Sequence, residues 1–253
     1  VRETGADLAL GFDGDGDRCG VVDNHGEEIF ADKIGVMIAR DLSRLYTGST
    51  FVCDVKSTGL FATDPVLLAN GAKADYWKTG HSYIKRRVSE LEALAGFEKS
   101  GHYFFNAPIG RGYDDGIVAA IHILDMLDRN PQKSMAGIYE ALPTTFGSPT
   151  MSPYCDDDKK YGVADKVTER LKEMQEKGDL LTGQKIRDLV TVNGVRVTVE
   201  DGTWGLVRAS SNKPELVVVV ESPTSEANMR AIFAEIDAEL AKQPEVGEYN
   251  QKI

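Results

Sequence analysis

Long apolar segments are missing from the 253-residue sequence. No apolar stretch approaches the roughly 18 residues that a membrane-spanning helix needs, so we expect no contact with the interior of a membrane. The first residues also lack the pattern of a secretory signal peptide, so we expect none. Cysteine is scarce, and its three occurrences lack the spacing of a metal site or a disulfide framework. They are Cys19, Cys53 and Cys155, and their odd number fits a reducing cytoplasm.

Positive charge is also in short supply. The chain has 29 Lys and Arg residues against 40 Asp and Glu residues, which gives a net charge of −11. A nucleic-acid backbone requires clustered Lys and Arg side chains, so this balance argues against general nucleic-acid binding. An anionic ligand would have to be held by local basic and hydroxyl groups against the overall electrostatic field.

The most informative segment carries three aspartates at alternate positions, directly after an apolar run. Residues 12–18 read Phe-Asp-Gly-Asp-Gly-Asp-Arg, and the aspartates are Asp13, Asp15 and Asp17. Two carboxylates about 4 Å apart repel by roughly 4 kcal/mol at an effective dielectric constant of about 20, so a loop that gathers three of them favours a bound cation. Oxygen ligands suit a hard ion such as Mg²⁺, which keeps open positions for water or a phosphate group. The pattern therefore predicts a magnesium site suited to phosphoryl transfer.

Other interpretations compete with the magnesium site. A calcium-binding EF-hand requires Gly at its sixth position and an acid at its twelfth, but Arg18 and Asn24 stand there. A haloacid-dehalogenase phosphatase also places Asp-x-Asp after a strand, yet Asp17 stands where that family carries Thr or Val. A solvated acidic turn is the third alternative, because Asp-Gly pairs are common in turns. Three acids within five residues favour the metal site over the turn.

Strands and helices alternate along the first part of the chain, which predicts an α/β layer with a mainly parallel sheet. The predicted strands are residues 7–12, 50–55, 73–79 and 94–98, and the predicted helices are residues 32–45, 60–70, 82–93 and 114–129. The apolar stripe of the last helix is expected to be Ile117, Ala120, Ile121, Leu124 and Leu127.

The pattern changes after Pro143. Residues 142–158 contain several prolines and a run of acids, which indicates an interdomain linker. Beyond it come a helix, a hairpin centred on Asn193 and Gly194, two more strands and a final helix. The fold class expected is therefore a mixed, mainly parallel α/β layer domain followed by a smaller α+β C-terminal domain.

Polar segments that follow predicted strands are candidate ligand loops, because open α/β sheets bind ligands at the carboxyl ends of their strands. Glu98 can accept hydrogen bonds from two hydroxyls, and Ser100 and His102 add further polar groups, which suits a sugar. A polar turn with a helix cap at Ser100 fits equally well. Lys56 and His81 stand near helix starts, where anions bind, although a histidine at such a position more often caps or packs.

Residues 208–214 form a second candidate ligand loop between two strands. Arg208 offers a planar guanidinium for phosphate, and Ser210, Ser211 and Asn212 add hydrogen-bond donors. A Ser- and Asn-rich strand connection with a surface arginine fits the composition equally well.

In this order, the segments resemble the phosphomannomutase/phosphoglucomutase family of α-D-phosphohexomutases over nearly the whole chain. The matching pieces are residues 13–18, Lys56, residues 79–82, 98–102, 112–116 and 208–214. The resemblance implies a four-domain cytoplasmic enzyme that uses Mg²⁺ to interconvert hexose 1-phosphate and hexose 6-phosphate. A phosphoserine gives its phosphoryl group to the sugar, and the bisphosphate turns around and returns the other phosphate.

The resemblance also implies a role for each site residue. Metal binding falls to Asp13, Asp15 and Asp17, with Arg18 beside the transferring group. Lys56, His81 and His102 would make further active-site contacts. Glu98 and Ser100 would bind the sugar hydroxyls. The phosphate that does not react would be bound by Arg208, Ser210, Ser211 and Asn212. The implied domains are residues 1–28, a C-terminal remnant of the metal-binding α/β domain, residues 29–147, the α/β sugar-binding domain, and residues 148–253, the α+β phosphate-binding domain.

The sequence departs from the family pattern in two places. Lys99 stands where hexose mutases often carry Met and where glucosamine mutases carry Gln. Residues 211–214 read Ser-Asn-Lys-Pro, which is closer to the hexose branch of the family. This second feature favours mannose and glucose phosphates as substrates. The Ser-His-Asn-Pro type loop of the family's first domain does not occur. We therefore expect a fragment without the N-terminal domains of the same enzyme, which binds phosphosugar and does not turn over alone. A Mg²⁺-dependent sugar-phosphate phosphatase and a non-catalytic phosphosugar-binding protein remain alternatives.

Overall fold

In a computed structural model that describes residues 1–253, the chain divides into two units, Val1–Pro143 and Thr144–Ile253. Residues 1–28 lie within the first of these units. None of the helices combines the length and the apolar character that crossing a bilayer would require. The division into the three domains expected from the resemblance stays a prediction.

A four-stranded sheet organises the first unit. Its central strand is β4 (Thr50–Asp54), which pairs in parallel with β5 (Lys73–Trp77) on one side and with β6 (Ala95–Phe97) on the other. The edge strand β7 (Tyr103–Phe105) runs antiparallel to β6. The three parallel strands therefore end at one edge of the sheet, and the predicted mixed, mainly parallel layer is confirmed.

Successive residues of a strand point to opposite sides of a sheet, so the apolar strands of this sheet expose apolar side chains on both faces. Helices cover both faces. Phe51 and Cys53 belong to a large apolar cluster, and Val52 between them belongs to a separate smaller cluster. The helices of the unit are α1 (Ala31–Leu45), α2 (Leu60–Thr63), α3 (Pro65–Ala69), α4 (His81–Glu90), α5 (Gly116–Asp128) and α6 (Met135–Glu140). Residues of α1 and α5 join the large cluster, and residues of α4 join the small one.

The predicted buried face of α5 is wrong for three of its five residues. Ile117, Ile121 and Leu124 are exposed by 65%, 52% and 48%, whereas Ile123 and Met126 are buried in the large cluster. The helix is apolar around most of its circumference, so its spacing admits two stripes, and only packing selects one of them.

A small antiparallel sheet precedes α1. It consists of β1 (Ala9–Phe12), β2 (Cys19–Val22) and β3 (Glu28–Ile29), in that order. The sequence predicted only the first of these strands. The three aspartates therefore lie in the connection of a hairpin, since β1 and β2 pair directly from Ala9 opposite Val22 to Phe12 opposite Cys19.

The second unit is a six-stranded antiparallel sheet with two helices, as expected for an α+β domain. Its strand order is β8-β13-β12-β11-β10-β9. The elements are β8 (Phe146–Gly147), α7 (Lys160–Lys177), β9 (Leu180–Leu181), β10 (Gln184–Val190), β11 (Val195–Val199), β12 (Trp204–Ala209), β13 (Leu216–Ser222) and α8 (Glu226–Leu240). Both helices share one apolar cluster with the sheet. The segment predicted as a linker instead runs beside β13, to which β8 and Met151 are paired.

The predicted hairpin at Asn193-Gly194 is confirmed, because it joins β10 to β11. Gly194 has a φ of +69°, and a Cβ there would lie 2.2 Å from the Val207 carbonyl oxygen and 2.7 Å from the Arg208 Cα. A side chain would therefore meet both conformational strain and backbone of β12. The turn is thus seated directly against Arg208.

Candidate active site

The three aspartates of the metal loop (residues 13–18) converge on one point. Each of Asp13, Asp15 and Asp17 offers a carboxylate oxygen, and these oxygens all lie within 4.8 Å of one another. Both carboxylate oxygens of Asp13 accept hydrogen bonds from Arg18, one from its backbone N–H at 3.2 Å and one from its Nε. This pairing with Arg18 lowers the pKa of Asp13. A cluster of oxygens from three acids within one short loop fits a hard divalent cation such as Mg²⁺.

The metal loop is joined by backbone contacts to two other parts of the first unit. The Cys19 N–H donates to the Gly101 carbonyl at 3.2 Å, and Arg18 forms an isolated β-bridge with His102. The Gly116 N–H, at the start of α5, donates to the Gly16 carbonyl at 2.9 Å. The metal loop therefore lies beside the sugar loop (residues 97–102).

Glu98 of the sugar loop is buried, with an exposed fraction of 2%. Its Oε1 accepts the Gly80 N–H at 2.7 Å, and its Oε2 accepts the Ser100 hydroxyl at 2.9 Å. Burial raises the pKa of Glu98, and repulsion by Asp54 raises it further. The two predicted sugar contacts are thus in direct contact with each other.

His81 and His102 meet across a shared acid, although 21 positions separate them in the sequence. The Nδ1 atoms of His81 and His102 lie 3.5 Å and 3.3 Å from Asp114 Oδ2, and the ring centroids are 5.9 Å apart. Burial raises the pKa of Asp114, but the Lys85 ammonium at 3.0 Å is among several contacts that outweigh burial, and the net shift is downward. His102 Nδ1 also lies 3.6 Å from Asp17 Oδ2, which links the histidine pair to the metal loop.

Lys56 follows β4 and is paired with Asp54, whose Oδ2 lies 3.6 Å from Lys56 Nζ. Asp54 is fully buried and also accepts hydrogen bonds from Ser57, Thr79 and the Lys99 N–H. The Lys99 side chain points elsewhere, because its Nζ lies 3.6 Å from the buried Asp32. Asp54 therefore links the loops that follow β4, β5 and β6.

A cavity of about 350 Å³ opens between the metal loop and the sugar loop. Asp13, Arg18, Lys99 and Ser100 are among its lining residues. This volume lies at the lower end of the range for small-molecule sites, roughly 300–1,000 Å³. The cavity combines carboxylates, cations and a hydroxyl, which is a set suited to a polar and anionic ligand.

The phosphate loop (residues 208–214) belongs to the second unit. Arg208 lies in β12 and not in the connection that follows it, and its buried guanidinium donates from Nη1 to the Ala209 carbonyl at 2.9 Å. Ser210 is buried, whereas Ser211 and Asn212 are exposed. The structure therefore keeps the four predicted residues adjacent, with the exposed donors at the tip.

Within the first unit the structure brings the predicted site residues of four separate segments into one region. Two acids that organise this region, Asp54 and Asp114, were not predicted as site residues. Asp54 carried a recognisable signal, because a charged residue at the end of an apolar strand lies at the ligand edge of a parallel sheet. Asp114 lies in the 112–116 segment that matched the family pattern, but its role was not predicted, since its partners His81 and Lys85 come from α4.

Comparison with known proteins decides the family. Residues 30–146 match the family model for phosphoglucomutase/phosphomannomutase, alpha/beta/alpha domain III, and residues 157–239 match the model for the C-terminal domain of the same family. The chain belongs to the phosphoglucomutase/phosphomannomutase family. The resemblance seen in the motifs is thereby confirmed, together with the fold class.

Relatives of the phosphoglucomutase/phosphomannomutase family align with nearly all of this chain. The phosphomannomutase/phosphoglucomutase of Pseudomonas syringae pv. tomato is 37% identical over 242 residues, which are 96% of this chain and 48% of the relative. A phosphoglucomutase of Neisseria gonorrhoeae is 32% identical over 90% of this chain and 46% of its own length. The chain spans about half the length of the curated relatives it matches.

A solved structure agrees with this assignment. The crystal structure of a phosphoglucomutase/phosphomannomutase family protein from Burkholderia thailandensis has a TM-score of 0.80 and 29% identity. The match covers 97% of this chain and 49% of that one. Both units thus have counterparts in one solved family member.

Proposed function

We propose that this chain supplies the metal-binding, sugar-binding and phosphate-binding parts of a phosphohexomutase that interconverts hexose 1-phosphate and hexose 6-phosphate. Mannose and glucose phosphates are the proposed substrates. The observation that carries the proposal is the convergence of Asp13, Asp15 and Asp17 beside the sugar loop, with Arg18 contacting both. A cation site next to a hydroxyl-binding acid is what the transfer of a phosphoryl group onto a sugar requires.

In this proposal each group of the first unit has a separate task. Asp13, Asp15 and Asp17 would hold Mg²⁺, which when bound neutralises charge on a transferring phosphoryl group. Arg18 lies next to that position and offers a guanidinium to the same phosphate. Glu98 and Ser100 orient the sugar through its hydroxyls, and orientation alone supplies a large part of the rate enhancement in phosphoryl transfer.

The basic groups complete the site. Lys56, His81 and His102 are proposed to contact the reacting hydroxyl or a phosphate, and the support for the two histidines is that both lie beside Asp114. In the second unit, Arg208, Ser210, Ser211 and Asn212 are proposed to bind the phosphate that does not react. Their support is the run of serine and asparagine donors after Arg208 and the family match of residues 157–239.

The phosphoserine that donates the phosphoryl group is proposed to come from outside residues 1–253, as the N-terminal domains of the same enzyme. Its support is that the matched relatives extend to about twice the length of this chain. The cytoplasm is the proposed location, supported by three cysteines that are scattered along the sequence and buried, since thiols stay reduced there.

Isothermal titration calorimetry of glucose 1-phosphate and mannose 1-phosphate into the chain, with Mg²⁺ present, tests the proposal. We expect weak binding that disappears in Glu98→Ala, with Glu92→Ala as an exposed control that binds normally. A coupled assay is expected to show no glucose 6-phosphate from the chain alone, and turnover when the phosphorylated N-terminal half of the Pseudomonas syringae relative is added. Conversion by the chain alone would contradict the requirement for an external phosphoserine.

The same assay separates the mutase from the alternatives. A phosphatase would release inorganic phosphate from sugar phosphates, with Asp13 as nucleophile. The match of residues 30–146 and 157–239 to phosphoglucomutase/phosphomannomutase family models disfavours the phosphatase. A purely binding protein would bind phosphosugar and give no turnover in the two-component assay.

A further inference from the structure

Asp54 lies where the loops that follow β4, β5 and β6 meet, and these three loops are called the ligand loops. It is the last residue of β4, the central strand of the parallel sheet, and its exposed fraction is 0%. Buried carboxylates are costly unless they are paired and fully hydrogen-bonded, so this position calls for an explanation beyond packing.

The partners of Asp54 come from the ends of all three parallel strands. Ser57 Oγ donates to Oδ1 at 2.6 Å from the loop after β4, and Thr79 Oγ1 donates to Oδ2 at 2.9 Å from the loop after β5. The Lys99 backbone N–H donates to Oδ1 at 3.2 Å from the loop after β6. Lys56 Nζ completes the set at 3.6 Å from Oδ2. One carboxylate thereby joins Lys56, the start of the Thr79–Gly80 turn and the sugar loop.

The charge of Asp54 is maintained at neutral pH and acts on its surroundings. Burial raises the pKa of Asp54, but the Lys56 ammonium and the hydrogen bonds from Ser57, Lys99 and Thr79 outweigh burial and lower it. The same negative charge adds to the effect of burial in raising the pKa of Glu98. A neutral residue of the same shape would fill the space and lose both effects.

We propose that Asp54 is a positioning residue that sets Lys56 and the sugar loop for a phosphosugar through its charge. The proposal rests on the proposed function and deepens it, because it assigns one residue the task of aligning the sugar-binding acid with the adjacent lysine. Asp54 is too buried to touch the substrate and acts through Lys56, Glu98 and the Lys99 amide.

The variant Asp54→Asn tests this, because it keeps the shape and removes the charge. Asp64→Asn is a matched control. Asp64 has an exposed fraction of 0% and is paired with Arg40, but it caps α3, and the side-chain partners Arg40, Val66 and Leu67 all lie outside the ligand loops. Both variants lose a buried ion pair, so a general loss of stability should be similar in the two. Only Asp54→Asn should change the ligand loops.

The first measurement needs no ligand. Acetylation of lysines in the full chain, followed by mass spectrometry, is expected to modify Lys56 about threefold faster or more in Asp54→Asn, because its partner is lost, with exposed Lys242 as internal reference. Amide hydrogen exchange should also accelerate at Lys99. Unchanged rates at both positions, or equal changes in Asp64→Asn, would overturn the proposal.

The second measurement is the affinity for glucose 6-phosphate, followed by calorimetry with Mg²⁺ present. We expect roughly tenfold weaker binding in Asp54→Asn, in line with the loss of an interaction to a charged group, and unchanged binding in Asp64→Asn. Equal affinity in Asp54→Asn and the unaltered chain would also overturn the proposal. Absence of binding in the unaltered chain would instead count against the proposed function, while the labelling result still decides the role of Asp54.

Discussion

Gly116→Ala is the substitution whose effect on the metal loop can be worked out most directly. Gly116 begins α5, and its N–H donates to the Gly16 carbonyl. A Cβ at this position would lie 2.7 Å from the Arg18 carbonyl oxygen, 2.8 Å from the Gly16 carbonyl oxygen and 3.0 Å from Phe12 Cδ1. Two of these three neighbours are backbone atoms of the metal loop, so no change of rotamer relieves the overlap.

The magnitude follows from two opposing terms. Replacing Gly by Ala in a helix gains at most about 1 kcal/mol, and less at its first residue. Overpacking against fixed neighbours costs about 1–3 kcal/mol, and relief requires the loop to move away from α5. We therefore expect a net loss of unfolding free energy of about 1–2 kcal/mol from these terms. We also expect weaker Mg²⁺ binding, because the three carboxylates no longer converge within 4.8 Å.

Urea denaturation measures the first quantity, and titration of Mg²⁺ by calorimetry measures the second. Gly162→Ala is the control, since Gly162 lies in α7 and a Cβ there would meet nothing within 4 Å. That variant should gain about 0.5–1 kcal/mol and leave Mg²⁺ binding unchanged. If Gly116→Ala were as stable as the unaltered chain and bound Mg²⁺ equally well, the inferred contact between α5 and the metal loop would be refuted.

Three further predictions follow from burial and charge. The folded state raises the pKa of Glu98, so ionisation of Glu98 lowers the free energy of unfolding. Glu98→Gln should therefore increase the free energy of unfolding at pH 7, and the increase should disappear below pH 4.5, the ordinary pKa of a glutamate. Urea titrations at both pH values measure this. Ile123→Ala should cost about 2–5 kcal/mol, whereas Ile117→Ala on the exposed face should cost about 0.5 kcal/mol or less, measured by thermal or urea unfolding. All three cysteines should react slowly with a thiol reagent in the native state at pH 8 and fast in urea. The reasons are that they are buried and that burial raises the pKa of Cys19 to about 11. Rapid labelling of any one of them in the native state would contradict this.

Local patterns accounted for much of the fold. The strands predicted at residues 50–55 and 73–79 became β4 and β5, and the helix predicted at residues 60–70 with an interruption at Pro65 became α2 and α3. Proline lacks the N–H that a helix interior needs, and Asp64 caps the new start by accepting from the Val66 and Leu67 amides. These outcomes depend on neighbours within a few residues, which is why they were predictable.

The short strands were not predictable in this way. β2, β3 and β7 have two to four residues each, which is too little for a periodic pattern to stand out. They exist because backbone groups of distant segments pair with them. The buried face of α5 was not predictable either. Ile123 is buried and Ile121 is exposed because of the way α5 packs against α1 and the sheet.

By itself, the sequence determined the chemistry of the site: three alternating aspartates, an arginine beside them, and polar residues after apolar strands. Only the tertiary structure decided how these groups act on one another. Asp54 and Asp114 each draw partners from separate elements. The pKa of Asp54 depends on burial, on the nearby Lys56 and on hydrogen bonds that include those from the distant Thr79 and Lys99, and the pKa of Asp114 depends on burial and on Lys85 and His102 from other parts of the chain. Covalent order specifies which groups exist, but distance and burial in the folded chain set the strength of each electrostatic interaction, and these come from packing.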